Sequence, residues 1–139
     1  MKISPYLLFQ GQCEEAFRMY EKVLGGKIQM ILPYEGSPMA QHAPADWGKK
    51  VMHASLDAGG FWLYGTDVIP SQFKTPQGMS ITLDIEKASE AERVFAALAE
   101  GGRVKMALQE TFWAERYGDV TDRFGIPWMV NCAKPMPAK

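Results

Sequence analysis

The sequence predicts an α+β chain made of two βαβββ modules, and three observations carry that expectation. Two stretches place apolar residues at helical spacing, each is followed by Gly-Gly and a basic residue, and each is flanked by strand-like runs. The text after each helix is nearly the same: Gly25-Gly26-Lys27-Ile28-Gln29-Met30 and Gly101-Gly102-Arg103-Val104-Lys105-Met106. Repetition inside a chain outranks other fold signals.

In chain order, Ser4–Phe9 is a short strand candidate. Cys13, Ala16, Phe17, Tyr20, Val23 and Leu24 then form one stripe of an amphipathic helix, which Gly25-Gly26 ends in the left-handed region. Pro33–Gly48, rich in Pro, Gly and small residues, reads as a long loop of the functional or mobile kind. Strands follow over Lys50–Asp57 and Phe61–Gly65, joined by the hairpin signal Ala58-Gly59-Gly60. Asp67–Gln77, with two prolines, is a linker. The second copy starts with a strand over Ser80–Ile85. Its helix buries Ala91, Val94, Phe95 and Leu98, with Ser89 and Glu92 as a capping box and Gly101-Gly102 as the stop. Strands over Arg116–Thr121 and Ile126–Cys132 flank the turn Asp122–Gly125. Ala133–Lys139, with Pro135 and Pro137, reads as a frayed tail. The whole is expected to be a single domain over 1–139, with module one near 1–67, a linker near 67–77, module two near 78–133 and a tail over 134–139. A ferredoxin-like fold would leave the extra hairpins over.

Composition narrows the function classes. The chain has 139 residues, 47% hydrophobic and 22% charged, with 15 basic against 16 acidic side chains for a net charge of −1. That balance speaks against a nucleic-acid binder, which needs a basic surface, and against a polybasic membrane anchor. No run approaches the roughly 20 apolar residues of a membrane helix, and the apolar part of the N-terminus is too short for a signal peptide. Cys13 and Cys132 give neither a disulfide framework nor zinc spacing. A cytoplasmic protein in a reducing compartment is the expectation. Nine Met, four Trp, five Tyr and seven Phe form a surplus of soft and aromatic surface that needs an address.

Paired βαβββ modules of this length resemble the vicinal oxygen chelate superfamily, which includes glyoxalase I, bleomycin-resistance proteins and extradiol dioxygenases. The chain is most similar to its PhnB-like branch. The likeness rests on Ser4-Pro5-Tyr6-Leu7, on Ala16-Phe17-Arg18-Met19-Tyr20 through Leu24-Gly25-Gly26, and on Met52-His53-Ala54-Ser55-Leu56. It rests further on Gln109–Ala114 and on Val120-Thr121-Asp122-Arg123-Phe124-Gly125-Ile126-Pro127-Trp128-Met129-Val130-Asn131. The resemblance implies curved sheets forming cup-shaped pockets, a homodimer, and, in metal-dependent members, a divalent ion held by His and Glu from four strands. The corresponding positions here fall on Pro5 or Tyr6, Tyr64, Ser80 and Met129, which are not such ligands. No cofactor and no metal centre is therefore expected, with a divalent metal kept for the alternative reading.

The candidate site residues follow. His53, mid-strand, shares a face with Val51, Ser55 and Asp57 and is a pocket hydrogen-bonder or general base. Its bland counterpart is a satisfied structural histidine. Tyr6 and Tyr64 stand at cup-facing places. Trp113, Tyr117 and Trp128, beside Phe112, offer an aromatic wall for a planar ligand, or else ordinary core. Met129 stands where the superfamily has a ligand. Glu110 is the one carboxylate at a strand end near these aromatics, either a base or a solvated charge. His42, on the long loop, could meet Asp46 or His53. The expected function is small-molecule binding of the bleomycin-resistance kind without metal chemistry. The alternative is a diverged glyoxalase-type lyase or isomerase acting on a small metabolite. A quinone methyltransferase, which names attached to this branch suggest, is discounted because no Gly-rich strand–helix turn precedes a ribose-binding acid.

Overall fold

The computed structural model describes residues 1–135. Residues 136–139 of the expected tail lie outside the described residues. The chain divides into two compact units, Met1–Lys74 and Thr75–Lys139, and each repeats the same order of elements.

In unit one, β1 (Tyr6–Phe9) leads into helix α1 (Cys13–Leu24), followed by β2 (Lys27–Pro33), β3 (Val51–Ala58) and β4 (Phe61–Asp67). The sheet runs β1-β4-β3-β2, with β1 parallel to β4 and the other pairs antiparallel. The long loop between β2 and β3 is not structureless: it holds short 3₁₀ turns at Pro38–His42 and Ala45–Trp47. Helix α1 lays the predicted stripe on one face of the sheet, and Cys13, Ala16, Phe17 and Tyr20 are fully buried. Gly25 closes the helix at φ 70°, as the Gly-Gly pair implied.

The fit between helix and sheet depends on Gly65. A Cβ there would lie 2.5 Å from the Phe17 ring, so only a glycine lets that ring rest on β4. Asp67, the last residue of β4, is 1% exposed. Its Oδ1 accepts the backbone N–H groups of Gly11 and Cys13, and its Oδ2 accepts that of Val51, all at 2.9 Å. One carboxylate thus joins the start of α1 and the start of β3 to the end of β4, with its charge at the positive end of the helix dipole.

Unit two repeats the plan with β5 (Ile81–Asp84), α2 (Ala88–Ala99), β6 (Arg103–Gln109), β7 (Ala114–Thr121) and β8 (Pro127–Ala133). Its sheet order is β5-β8-β7-β6. Ala91, Val94, Phe95 and Leu98 are buried as expected, and Gly118 does for Phe95 what Gly65 does for Phe17, since a Cβ would sit 2.7 Å from that ring. The capping box is not formed. The N-cap is Lys87, without a side-chain cap, and Ser89 lies inside the first turn. The helix runs one residue before Ser89, so its hydroxyl has passed the position from which it could reach the N3 amide.

Candidate functional site

Each sheet carries its helix on one face, and period-two alternation sends every second residue to the other. In unit one the register puts Tyr6 opposite Tyr64, Ser55 opposite Tyr64, Asp57 opposite Trp62 and Leu32 opposite His53. This second face is the open one: Tyr6 is 49% exposed, and Leu8, Met30 and Leu32 are also exposed.

The aromatic groups on it form a connected strip. The rings of Trp62 and Tyr64 stack 6.2 Å apart at 27°, and His53 stacks on Tyr64 at 5.6 Å and 28°. Tyr6 lies 6.2 Å from Tyr64 and 5.8 Å from His53, with its hydroxyl 3.1 Å from His53 Nδ1. Burial is the first cause that raises the Tyr6 pKa, with Cys13 and Tyr34 adding to it and a hydrogen bond with Thr66 opposing it. The phenol therefore stays protonated at neutral pH, within hydrogen-bond reach of the imidazole Nδ1. Thr66 itself donates to the Met52 carbonyl at 2.6 Å. Lys2 completes the strip by placing its ammonium 4.2 Å from the Trp62 ring centroid.

In unit two the open face carries Thr82, Asp84, Tyr117, Asp119, Met129 and Asn131, set opposite one another by the β5–β8 and β7–β8 registers. Trp113 meets Tyr117 edge-on at 5.3 Å, and Phe112 meets Trp113 edge-on at 4.8 Å. Phe112 and Trp113 are exposed, at 89% and 45%. Burial and the neighbouring Asp119 carboxylate both raise the Tyr117 pKa. Glu110 is tied to Lys134 Nζ at 2.9 Å and stands beside the aromatic loop as a paired surface charge.

The structure thus brings Tyr6, His53 and Tyr64 together in unit one, and Trp113 with Tyr117 in unit two. Trp128 is corrected: it is 0% exposed on the helix-facing side of β8, and its indole Nε1–H donates to Asp122 Oδ2 at 2.9 Å. The reason is parity, because Trp128 and Met129 are neighbours and must point to opposite faces. Ser80 is corrected too. It precedes β5, and the residue opposite Met129 is Thr82, whose hydroxyl contacts the Met129 sulfur at 3.8 Å. His42 contacts neither Asp46 nor His53; it lines a cleft of ≈ 260 Å³ with Tyr34, Met39 and Gln72. Trp62 and Lys2 are members that sequence reading missed. Trp62 was within reach of it, since it stands two residues before Tyr64 on one strand and must share its face.

The donor chemistry does not fit a divalent centre of the superfamily kind. The equivalent strand pairs are Tyr6 with Tyr64 in unit one and Thr82 with Met129 in unit two, which offer phenols, a hydroxyl and a thioether where His and carboxylate ligands are needed. Among the described residues, no three His, Cys, Asp or Glu side chains gather in a group able to hold a metal ion.

Comparison with known proteins agrees with this architecture. The family model described as 3-demethylubiquinone-9 3-methyltransferase matches residues 1–131. The chain is 34% identical to Protein YjdN of Escherichia coli K12 across the full length of both. It is 48% identical to the crystal structure of protein PA1353 from Pseudomonas aeruginosa, with a TM-score of 0.88 over 97% of this chain and 99% of that one. The PhnB protein from Bacillus cereus superposes with a TM-score of 0.82 at 27% identity, covering 96% of this chain and all of that one. The fosfomycin resistance protein FosX of Listeria monocytogenes, at 9% identity and a TM-score of 0.65 over 96% of this chain and 92% of that one, shares the fold alone.

Proposed function

Because the chain belongs to the family described as 3-demethylubiquinone-9 3-methyltransferase, the PhnB-like branch of the vicinal oxygen chelate superfamily, we propose that it binds a small planar or amphipathic molecule on its open sheet faces without the superfamily metal. The observation that carries this is the Trp62–Tyr64–His53–Tyr6 strip, an aromatic surface with a hydrogen-bonding phenol–imidazole pair at its edge. Such sites are mostly apolar with a few placed polar groups. Trp113, Tyr117 and Met129 are the ligand-facing candidates of unit two. The protein works as a cytoplasmic homodimer in this reading, supported by the family resemblance and by the exposed apolar residues of both open faces.

A screen of planar aromatic compounds by thermal shift tests the proposal. Hits are expected whose affinity falls at least tenfold in Tyr64→Ala, and in Trp113→Ala for ligands of unit two. Hits indifferent to both variants remove these faces from the site. Elemental analysis of protein purified without chelator is expected to find no stoichiometric Zn, Ni, Mn or Fe, and one equivalent of any of them would overturn the non-metal reading.

One observation favours a second reading, a glyoxalase-type lyase or isomerase. The Tyr6–His53 pair is built to take and pass a proton, with His53 as general base. Turnover of a small metabolite that disappears in His53→Gln but survives in Trp113→Ala would select it. The methyltransferase description is not extended to this chain. The amide donors at the start of α1, where a phosphate- or ribose-bearing donor would be cradled, are already taken by the Asp67 carboxylate.

A further inference from the structure

The aromatic strip of unit one already carries a positive charge. The Lys2 ammonium stands 4.2 Å from the Trp62 ring centroid and 5.5 Å from that of Tyr64, within the roughly 6 Å over which a ring quadrupole attracts a cation. Trp62 and Tyr64 are two residues apart on β4 and nearly parallel at 27°, so one charge meets both faces. Asp57 stands opposite Trp62 in the β3–β4 register and adds a carboxylate to the same face; its Oδ1 accepts the Gly60 N–H. Among the described residues no ion pair joins Lys2 to a carboxylate. What holds its ammonium is the pair of rings.

Lys2 lies in the exposed segment ahead of β1, on a long flexible side chain that loses rotamer freedom to sit there. A primary ammonium is also strongly hydrated. It is therefore an easily displaced occupant of a surface whose shape and electrostatics suit a cation. An alkylated ammonium is less hydrated, so it gives up less to the solvent when it sits on the same rings.

We propose that the Trp62–Tyr64 platform recognises the cationic head of an organic ammonium compound, and that Lys2 is an intramolecular placeholder which such a ligand displaces. This rests on reading the open face as the ligand site, and it narrows the ligand class. The head sits over Trp62 and Tyr64 near Asp57, and an apolar or planar body extends along Tyr64 toward His53 and Tyr6.

The test compares choline with 3,3-dimethylbutan-1-ol, which has the same shape and no charge, using the indole N–H signals of isotope-labelled full-length protein. The Trp62 signal is assigned with Trp62→Phe. Choline is expected to shift the Trp62 signal saturably, and the neutral alcohol to bind at least tenfold more weakly. Lys2→Ala is expected to tighten choline binding by about fivefold, the size of one exposed cation–π contact. Read on the backbone amide of Tyr64, Trp62→Leu is expected to abolish it, and Trp62→Phe, which keeps a ring, to retain part of it. Equal binding of choline and the alcohol, or an affinity unchanged or weakened in Lys2→Ala, would overturn the proposal. Should choline leave Trp62 unmoved while a neutral planar compound binds in a Tyr64-dependent way, the cation site falls and the ligand face stands. Should neither bind, both readings fall.

Discussion

At the residue scale, the most informative side chain is one that left the site. Trp128 was a candidate for an aromatic wall, and the structure uses it to satisfy a buried acid. Asp122 is 3% exposed and accepts from the Phe124 and Ile126 amides as well as from the Trp128 indole. Leaving buried donors or acceptors unpaired costs about 1–3 kcal/mol each. Trp128→Phe keeps most of the ring volume but strips one partner from the carboxylate, so urea unfolding should report a loss of about 2 kcal/mol. Asp122→Ala, which orphans several donors, should lose roughly 3 kcal/mol. An effect on ligand affinity larger than the effect on stability would return Trp128 to the site. Glu110 gives a prediction with a sign. Its hydrogen bond to Lys134, and then the charge of that lysine, hold its carboxyl below the ordinary glutamate value. A lowered folded-state pKa contributes stability above the ordinary value and loses it as pH falls through the lowered one. A carboxyl carbon titration by NMR should place the Glu110 midpoint low and show it rising in Lys134→Ala. An unmoved midpoint would show that the pair is not formed in solution. None of this pairing was legible beforehand, because Glu110 and Lys134 meet only through the β7–β8 hairpin, whose return brings the Lys134 amide to the Trp113 carbonyl.

At the scale of elements, both helices were legible because their stripes are long and regular. α1 spans the residues that the period marks, and α2 buries the expected Ala91, Val94, Phe95 and Leu98. The helix–sheet joint was not legible, since it depends on two glycines inside strands, which a sequence pattern reads as weak strand positions. At Gly65 an added methyl meets the Phe17 ring at 2.5 Å, and the Cys13 sulfur lies 3.2 Å away. Phe17 is fully buried and packs edge-on against Phe9 at 6.2 Å, so it has nowhere to retreat without lifting α1. Gly65→Ala should therefore cost about 1–3 kcal/mol by overpacking, despite alanine's advantage in the unfolded chain. Pairing it with Phe17→Leu should recover part of that loss. Gly36→Ala is not a matched control, because its φ of 81° adds strain of its own. Thermal unfolding of the two single variants and the double variant decides the point: strict additivity would mean that the glycine and the ring are not in contact.

At the scale of the whole chain, the repeat carried the fold, and the open faces depended on strand register. Slipping a strand by one residue turns every side chain to the other face, so Trp128, the neighbour of Met129, turns to the helix side. Ser80, by contrast, lies an even step of two residues before Thr82 and differs from it in register, not in parity. The correct parity has a consequence for association. The open face of unit one leaves Tyr6, Leu8, Met30 and Leu32 between 42% and 49% exposed, and on β6 of unit two Met106, opposite Asp119, is 41% exposed. Large apolar side chains exposed together on one sheet face favour a surface that another molecule covers. A formal charge of −1 opposes the approach of a second copy only weakly. The homodimer proposed above should therefore appear in sedimentation velocity at micromolar concentration as a species of twice the 15.5 kDa chain mass. Because apolar burial drives it, sulfate should strengthen it and added sodium chloride should leave it nearly unchanged, the reverse of an ion-paired association. Leu8→Lys places a charge on one such face, at its edge strand β1, without touching the helix side, where Leu7 and Phe9 are buried. It should shift the population toward monomer while leaving the thermal transition of each unit's core in place. A wild-type chain that sediments at 15.5 kDa under the same conditions would remove the dimer and leave the open faces to the small molecule alone.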